Sequence, residues 1–120
     1  MKVLIVISFL ILFGCKENKC SVNETFESTF IEMRNSIVTS YKEQGGLNNN
    51  AVRGVFYLQD ITGIRSKSII GELSYYNSES DYKADIRNWN SWYSKHKCSV
   101  SKEESNNSLE NVMKSTQWMN

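Results

Sequence analysis

A chain of 120 residues with 14 basic and 13 acidic side chains is long enough for one small domain and too short for two. Its near-neutral balance supplies no long-range field to draw it onto nucleic acid, which argues against that class of function. Proline is absent while Asn and Ser abound, a compositional bias with loop-rich surfaces rather than a site.

The first predicted element is a leader. Lys2 precedes an apolar run from Val3 to Phe13 that only Ser8 interrupts. This is too short for a spanning helix, which needs about 20 apolar residues, and it suits the central region of a secretory signal. The run ends Leu12-Phe13-Gly14-Cys15. These residues resemble the lipobox of bacterial lipoproteins, with an aliphatic residue three before the cysteine and a small one just before it. The resemblance implies removal of Met1 to Gly14, a diacylglyceryl thioether on Cys15 and an acylated new amino terminus. Such a chain would be lipid-anchored to a membrane of the bacterial cell envelope, facing the periplasm or the exterior. Each buried CH₂ of an acyl chain contributes roughly 0.8 kcal/mol, so three chains would hold it essentially permanently. The other readings are a plain secretory signal with a chance cysteine and an uncleaved anchor.

Without the leader's 14 residues the 120-residue chain has 106, and the loss of Lys2 leaves 13 basic against 13 acidic groups. Two thiols remain, Cys20 and Cys98, and outside the cytoplasm an even pair is most simply a disulfide. Closing a loop of about 79 residues would contribute on the order of 4.5 kcal/mol by the chain-entropy model. A metal site from Cys20, His96 and Cys98 is the competing reading, and it lacks the fourth ligand structural zinc requires. Lys16, Glu17, Asn18 and Lys19 form a tether reaching at most about 17 Å from Cys15, so residues 15–20 hold the folded body close to the bilayer.

The body, 21–98, is expected to be mostly α: a small bundle of three main helices with one disulfide and room for a short C-terminal helix. Ser21 and Glu24 form a capping-box sequence. Val22, Phe26, Phe30, Met33, Ile37 and Tyr41 then draw one stripe on a helix over about 22–44, which Gly45-Gly46 stops. Ala51, Val52, Val55, Phe56, Leu58 and Ile61 suit a short buried helix ending at Thr62-Gly63, although Gly54 costs about 1 kcal/mol against alanine there. Between Ser66 and Ser80 a half-turn and a brief hairpin fit equally well. Ser78 or Ser80 would cap a third helix over about 80–96, whose stripe of Tyr82, Ile86, Trp89 and Tyr93, flanked by Trp92, would clamp it onto the first. A Cys20–Cys98 bond then asks the loop after His96 to fold back across the bundle. Residues 99–120 read as a polar linker over Ser99 to Asn107, followed by a short terminal helix capped by Ser108 and carrying Leu109, Val112 and Met113.

Leu58-Gln59-Asp60-Ile61-Thr62-Gly63, followed by Tyr82, Asp85, Trp89 and Trp92-Tyr93, resembles the helical segment found with HEAT-like repeats in exported bacterial proteins. The resemblance covers about 51–97, with a longer insertion between Gly63 and Tyr82, and implies helical architecture and a scaffold or interaction role.

Candidate chemistry is sparse. His96 stands between Lys95 and Lys97 and reads as a solvated helix end rather than a catalytic base. Asp60-Ile61-Thr62-Gly63 lacks the Asp-Thr-Gly spacing and the second carboxylate of an aspartic-protease dyad. Asp81 and Asp85 could share a cation, but a capping role fits them better. Glu103-Glu104 falls in the expected linker. No nucleophile elbow, phosphate loop or zinc-protease motif occurs. The expectation is a binding protein without cofactor or metal rather than an enzyme; Asp85, His96 and Glu104 would be its candidates if it were one. Its partner would be another envelope protein, with an immunity or inhibitor role as the concrete version and an assembly accessory as the alternative.

Overall fold

The computed structural model describes residues 20–119; the leader, the tether up to Lys19, Cys15 and Asn120 lie outside the described residues. Four helices make up the body: α1, Glu24–Gln44; α2, Asn49–Thr62; α3, Glu79–His96; and α4, Lys102–Ser115. A 3₁₀ turn, Gln117–Met119, closes it. The fold is mostly α, as the periodicity predicts, and Cys20 is bonded to Cys98.

The helices begin and end where local chemistry directs. Asn23, in extended backbone, accepts the Phe26 amide at 3.1 Å, and Gly45, at φ 72°, closes α1 with its N–H on the Tyr41 carbonyl at 2.9 Å. The capping-box reading of Ser21 is therefore corrected by two residues: Asn23 is an equally good cap, and Ser21 is exposed. In α2, Asn48 accepts the Ala51 amide at 2.9 Å and Gly63, at φ 73°, ends the helix. Ser78 caps α3 by accepting the Asp81 amide at 3.1 Å.

Phe26, Phe30 and Ile37 of α1 are buried against Ala51, Val52, Val55, Tyr57 and Leu58 of α2, and Tyr82 and Trp89 enter from α3. Gly54 explains its own presence. A Cβ there would lie 2.5 Å from the Met33 carbonyl oxygen and 2.7 Å from Ser36 Oγ, so α1 and α2 approach too closely for any side chain.

Between α1 and α3 the spacing is filled by rings. Tyr41 stacks on Tyr82 at 3.9 Å and 15°, while Phe26 and Phe30 meet Trp92 and Tyr93 at 4.7–6.4 Å. The end of α1 thus meets the start of α3, and its start meets the end of α3. The two helices are antiparallel. This corrects the expectation that the loop after His96 must fold back across the bundle: antiparallel packing brings the residue before α1 beside the residue after α3, with Cα atoms 5.6 Å apart.

A second correction concerns 99–120. The expected linker over Ser99 to Asn107 is helical from Lys102, capped by Ser101, whose Oγ accepts the Glu104 amide at 3.1 Å. Ser108 is no cap; it is buried in mid-helix. The inner face of α4 is Ser105, Ser108, Val112 and, just beyond the helix, Thr116. That face is small and polar, so it carries no hydropathy signal, yet its hydroxyls are satisfied. Ser105 Oγ bonds Tyr57 Oη at 2.9 Å, Ser108 donates to Asp60 at 2.6 Å, and Thr116 donates to the Val112 carbonyl at 2.8 Å. Val100 and Val112 belong to the same core as the other helices.

Candidate functional site

The open choice between Ser66 and Ser80 resolves as a brief hairpin. Ile69 and Tyr75 exchange two backbone hydrogen bonds, at 2.8 and 3.0 Å, and Leu47 donates its amide to the Ser74 carbonyl at 2.8 Å. The hairpin is thereby joined to the short connection between α1 and α2. Within its turn, the Gly71 amide donates to Ser74 Oγ at 3.3 Å.

Its base is held by one buried carboxylate. Asp85 lies on the inner face of α3, one turn after Tyr82, and is 1% exposed. Its Oδ2 accepts the Ser66 hydroxyl at 2.5 Å and the Tyr76 hydroxyl at 2.7 Å, and the Lys67 amide donates to both oxygens at 3.1 Å. Ser66 in turn donates its amide to Gln59 Oε1 at 2.7 Å and accepts the Ser68 amide at 3.0 Å. Burying a charge is expensive unless it is hydrogen-bonded, and here both oxygens are occupied. Burial, reinforced by the Asp85 hydrogen bond and charge, pushes the Tyr76 phenol far above its usual range, so it remains the donor. Asp85 is therefore neither a cap nor half of a cation site with Asp81, contrary to the sequence reading. It is a clamp joining α3 to both legs of the hairpin.

What the clamp supports is apolar and exposed. Leu73, at the tip, is 81% exposed, and Ile69 and Tyr75 flank it as further exposed large side chains. The remaining exposed large apolar residues among those described are Met113 and Trp118. Asn49 donates to the carbonyl of Met119 at 3.5 Å, which sets Trp118 near the start of α2, at the same end as the hairpin. The opposite end carries the exposed Cys20–Cys98 bond. Since α1 has 21 residues, the two ends stand about 30 Å apart.

The other residues considered for chemistry are scattered. His96 is exposed and stacks on Trp92 at 5.0 Å. It lies about 16 Å further along α3 than Asp85, by the helical rise of residues. Glu104 is exposed in the first turn of α4, and Asp60 accepts Ser108 and Asn111. Thr62 Oγ1 donates to the Leu58 carbonyl at 2.5 Å and accepts the Ile64 amide at 3.0 Å, finishing α2. The Trp89 indole N–H is buried without a hydrogen-bond partner, so that ring contributes volume. Among the described residues no three His, Cys, Asp or Glu side chains gather as a metal site, and no helix is long and apolar enough to cross a membrane.

Surface grooves are shallow, and their linings mix polar with apolar groups. One of about 290 Å³ lies between α2 and α4, lined by Phe56, Gln59, Asp60, Asn111, Val112 and Ser115. Another of about 390 Å³ runs beside α3, from Ile64 past Asn88 and Ser91 to Trp92, Lys95 and His96. A brief hairpin was one of the two readings of this stretch, but neither its exposed apolar tip nor its Asp85 clamp was foreseen. The only signal was the cluster Ile69, Ile70, Leu73, Tyr75 and Tyr76 in a stretch without helical period.

The chain matches no family model, no curated protein and no solved structure.

Proposed function

We propose that the protein is a small bacterial envelope lipoprotein, anchored through Cys15, that acts by binding another protein. The observation that carries this reading is the Leu12-Phe13-Gly14-Cys15 leader, taken with the pairing of Cys20 and Cys98. A disulfide between the other two cysteines belongs in an oxidising compartment and leaves Cys15 as the thiol available for lipid. The concrete version is an immunity or inhibitor protein that blocks a toxin or lytic enzyme at the membrane surface. Its support is a body closed by the Cys20–Cys98 bond, a sequence of only four residues between Cys15 and Cys20, and an exposed apolar hairpin at the opposite end of α1 from Cys20.

The alternative, an assembly accessory whose aromatic helix docks into a larger complex, has less to rest on. Trp89 is buried, and Trp92 and Tyr93 are engaged with Phe26 and Phe30 of α1.

The test is metabolic labelling with a palmitate analogue. The wild type is expected to incorporate label and to lose the mass of Met1 to Gly14, and Cys15→Ala to do neither. Equal labelling of both, or an unprocessed mass with free thiols, overturns the reading.

A further inference from the structure

The Cys20–Cys98 bond gathers three element ends beside Cys20: the start of α1, the end of α3 and the start of α4. Their charges differ. Glu24 and Glu27 stand exposed in the first turn of α1, and Glu103 and Glu104 in the first turn of α4. The last turn of α3 carries Lys95 and His96, Lys97 follows, and from Ile86 to Lys102 the chain has no acidic residue. The groove of about 390 Å³ lies on this part of α3, with Ile64 and Trp92 as its apolar lining, Asn88 and Ser91 as neutral polar groups, and Lys95 and His96 toward the end of the helix. Trp92 is fixed between Phe30, stacked at 6.2 Å and 13°, and His96, at 5.0 Å and 30°. Lys83 and Lys114 each pair with a glutamate one turn away and Lys97 lies over the Tyr93 ring, whereas no described group holds the side chain of Lys95.

We infer that this groove is the face the body turns to the bilayer that anchors it, and that its occupant is the headgroup layer of anionic phospholipid. Position selects a membrane. Only four residues separate Cys15 from Cys20, so the anchor lies at most about 17 Å from the bond that closes the end of α3. Charge selects anionic lipid and also the orientation. A negative surface repels the glutamates that begin α1 and α4 and attracts Lys95 and His96, so the body leans onto α3. No acidic side chain lines the groove. Depth selects a surface over a soluble ligand, because small-molecule pockets bury most of their ligand and this groove is shallow. Tryptophan beside lysine suits the level where membrane meets water, with the ring among glycerol esters and the ammonium on phosphate oxygens. The neutral balance of the whole chain is no obstacle, since the anchor supplies the effective concentration that a long-range field otherwise would. This inference rests on the lipoprotein reading and adds which face meets the membrane and which lipid it prefers.

His96 is the sole histidine of the chain, so its carbethoxylation by diethyl pyrocarbonate, read by peptide mass, reports on the groove alone. The full chain, purified from the cells that process it, is reconstituted in vesicles of phosphatidylcholine, with and without phosphatidylglycerol. Modification of His96 is expected to slow roughly fivefold when the anionic lipid is present, the effect of one lysine at such a surface. Salt at about 1 M, where the screening length is about 3 Å, should abolish the difference. Lys95→Glu, at an exposed position, should abolish it too, while Lys83→Gln at the far end of α3 should behave as the wild type. Equal rates on both vesicles, or protection that survives Lys95→Glu, overturns the inference. So does protection that follows the concentration of the chain rather than the anionic lipid, which would assign the groove to a second copy. Protection by soluble glycerophosphate without vesicles also overturns it, in favour of a free-anion site. If palmitate labels the chain and His96 reacts equally on both vesicles, the groove assignment fails and the anchor stands. If the chain carries no palmitate and anionic vesicles still protect His96, the anchor reading fails alone.

Discussion

Gly54 and Asp85 show how single positions set the limits of this body. Helix propensity favours alanine over glycine by about 1 kcal/mol, so Gly54→Ala in an isolated α2 would stabilise it. In the folded chain the added methyl meets the backbone oxygen of Met33 at 2.5 Å. Backbone cannot swing aside, and overpacking of this kind costs about 1–3 kcal/mol. Gly54→Ala is therefore expected to lower the midpoint of thermal unfolding, and a rise would refute the close approach of α1 and α2. Asp85→Ala strips the acceptor from the Ser66 hydroxyl, the Lys67 amide and the Tyr76 hydroxyl. Ser66 can turn to Ser68, which leaves two orphaned donors at about 1–3 kcal/mol each. A loss of about 3 kcal/mol in denaturant unfolding is expected, with the hairpin amides losing protection first.

Tyr76 gives the same site a pH signature. Its folded-state pKa is raised, by burial first and by Asp85 second, from an unfolded value near 10. Below that value both states are protonated and the group is neutral to stability. Above it the unfolded chain releases a proton that the folded chain retains, so stability falls as pH rises. Tyr57, Tyr82 and Tyr93 are shifted in the same direction, chiefly by burial. Stability should therefore decline above about pH 10. Followed by tyrosinate absorbance, Tyr76→Phe should make that decline shallower.

At the scale of elements, α1, α2 and α3 were legible because their signals are local. Apolar stripes at helical spacing, Asn or Ser caps and left-handed glycines act within a few residues of one another. The exact cap of α1 was less so, since Ser21 and Asn23 are both competent and only the chain's path into the helix decides. The helix α4 was missed over Ser99 to Asn107 because its buried face is Ser105 and Ser108, whose hydroxyls are matched by Tyr57 and Asp60 on another helix. A buried serine cannot be told from a solvated one without its partner. Ser101→Ala should cost about 1 kcal/mol as a lost cap, with exchange accelerated in the first turn of α4 rather than throughout the body.

For the whole molecule, the staple and the aromatic layer between α1 and α3 are separate devices. The rings of Phe26, Phe30, Trp92 and Tyr93 hold the same end that Cys20–Cys98 closes. Reduction should therefore leave the helical content intact in water. It should lower stability by an amount approaching the ~4.5 kcal/mol of the chain-entropy model. Denaturant melts monitored by circular dichroism, with and without reductant, measure this directly. Collapse of the helices on reduction alone would show that the rings contribute little.

Short-range information in the sequence was enough to determine the helical class and most helix ends, because periodicity and capping need no knowledge of distant neighbours; the pairing of Cys20 with Cys98, among three cysteines, was expected only by setting Cys15 aside. Tertiary structure alone decided that α1 and α3 run antiparallel, that α4 joins the core through serines, and that Asp85 grips Ser66, Lys67 and Tyr76 to hold an apolar hairpin outward. The physical reason is common to all three. Each depends on groups far apart in the chain satisfying one another, and a polar side chain's meaning is set by the partner it meets only after folding.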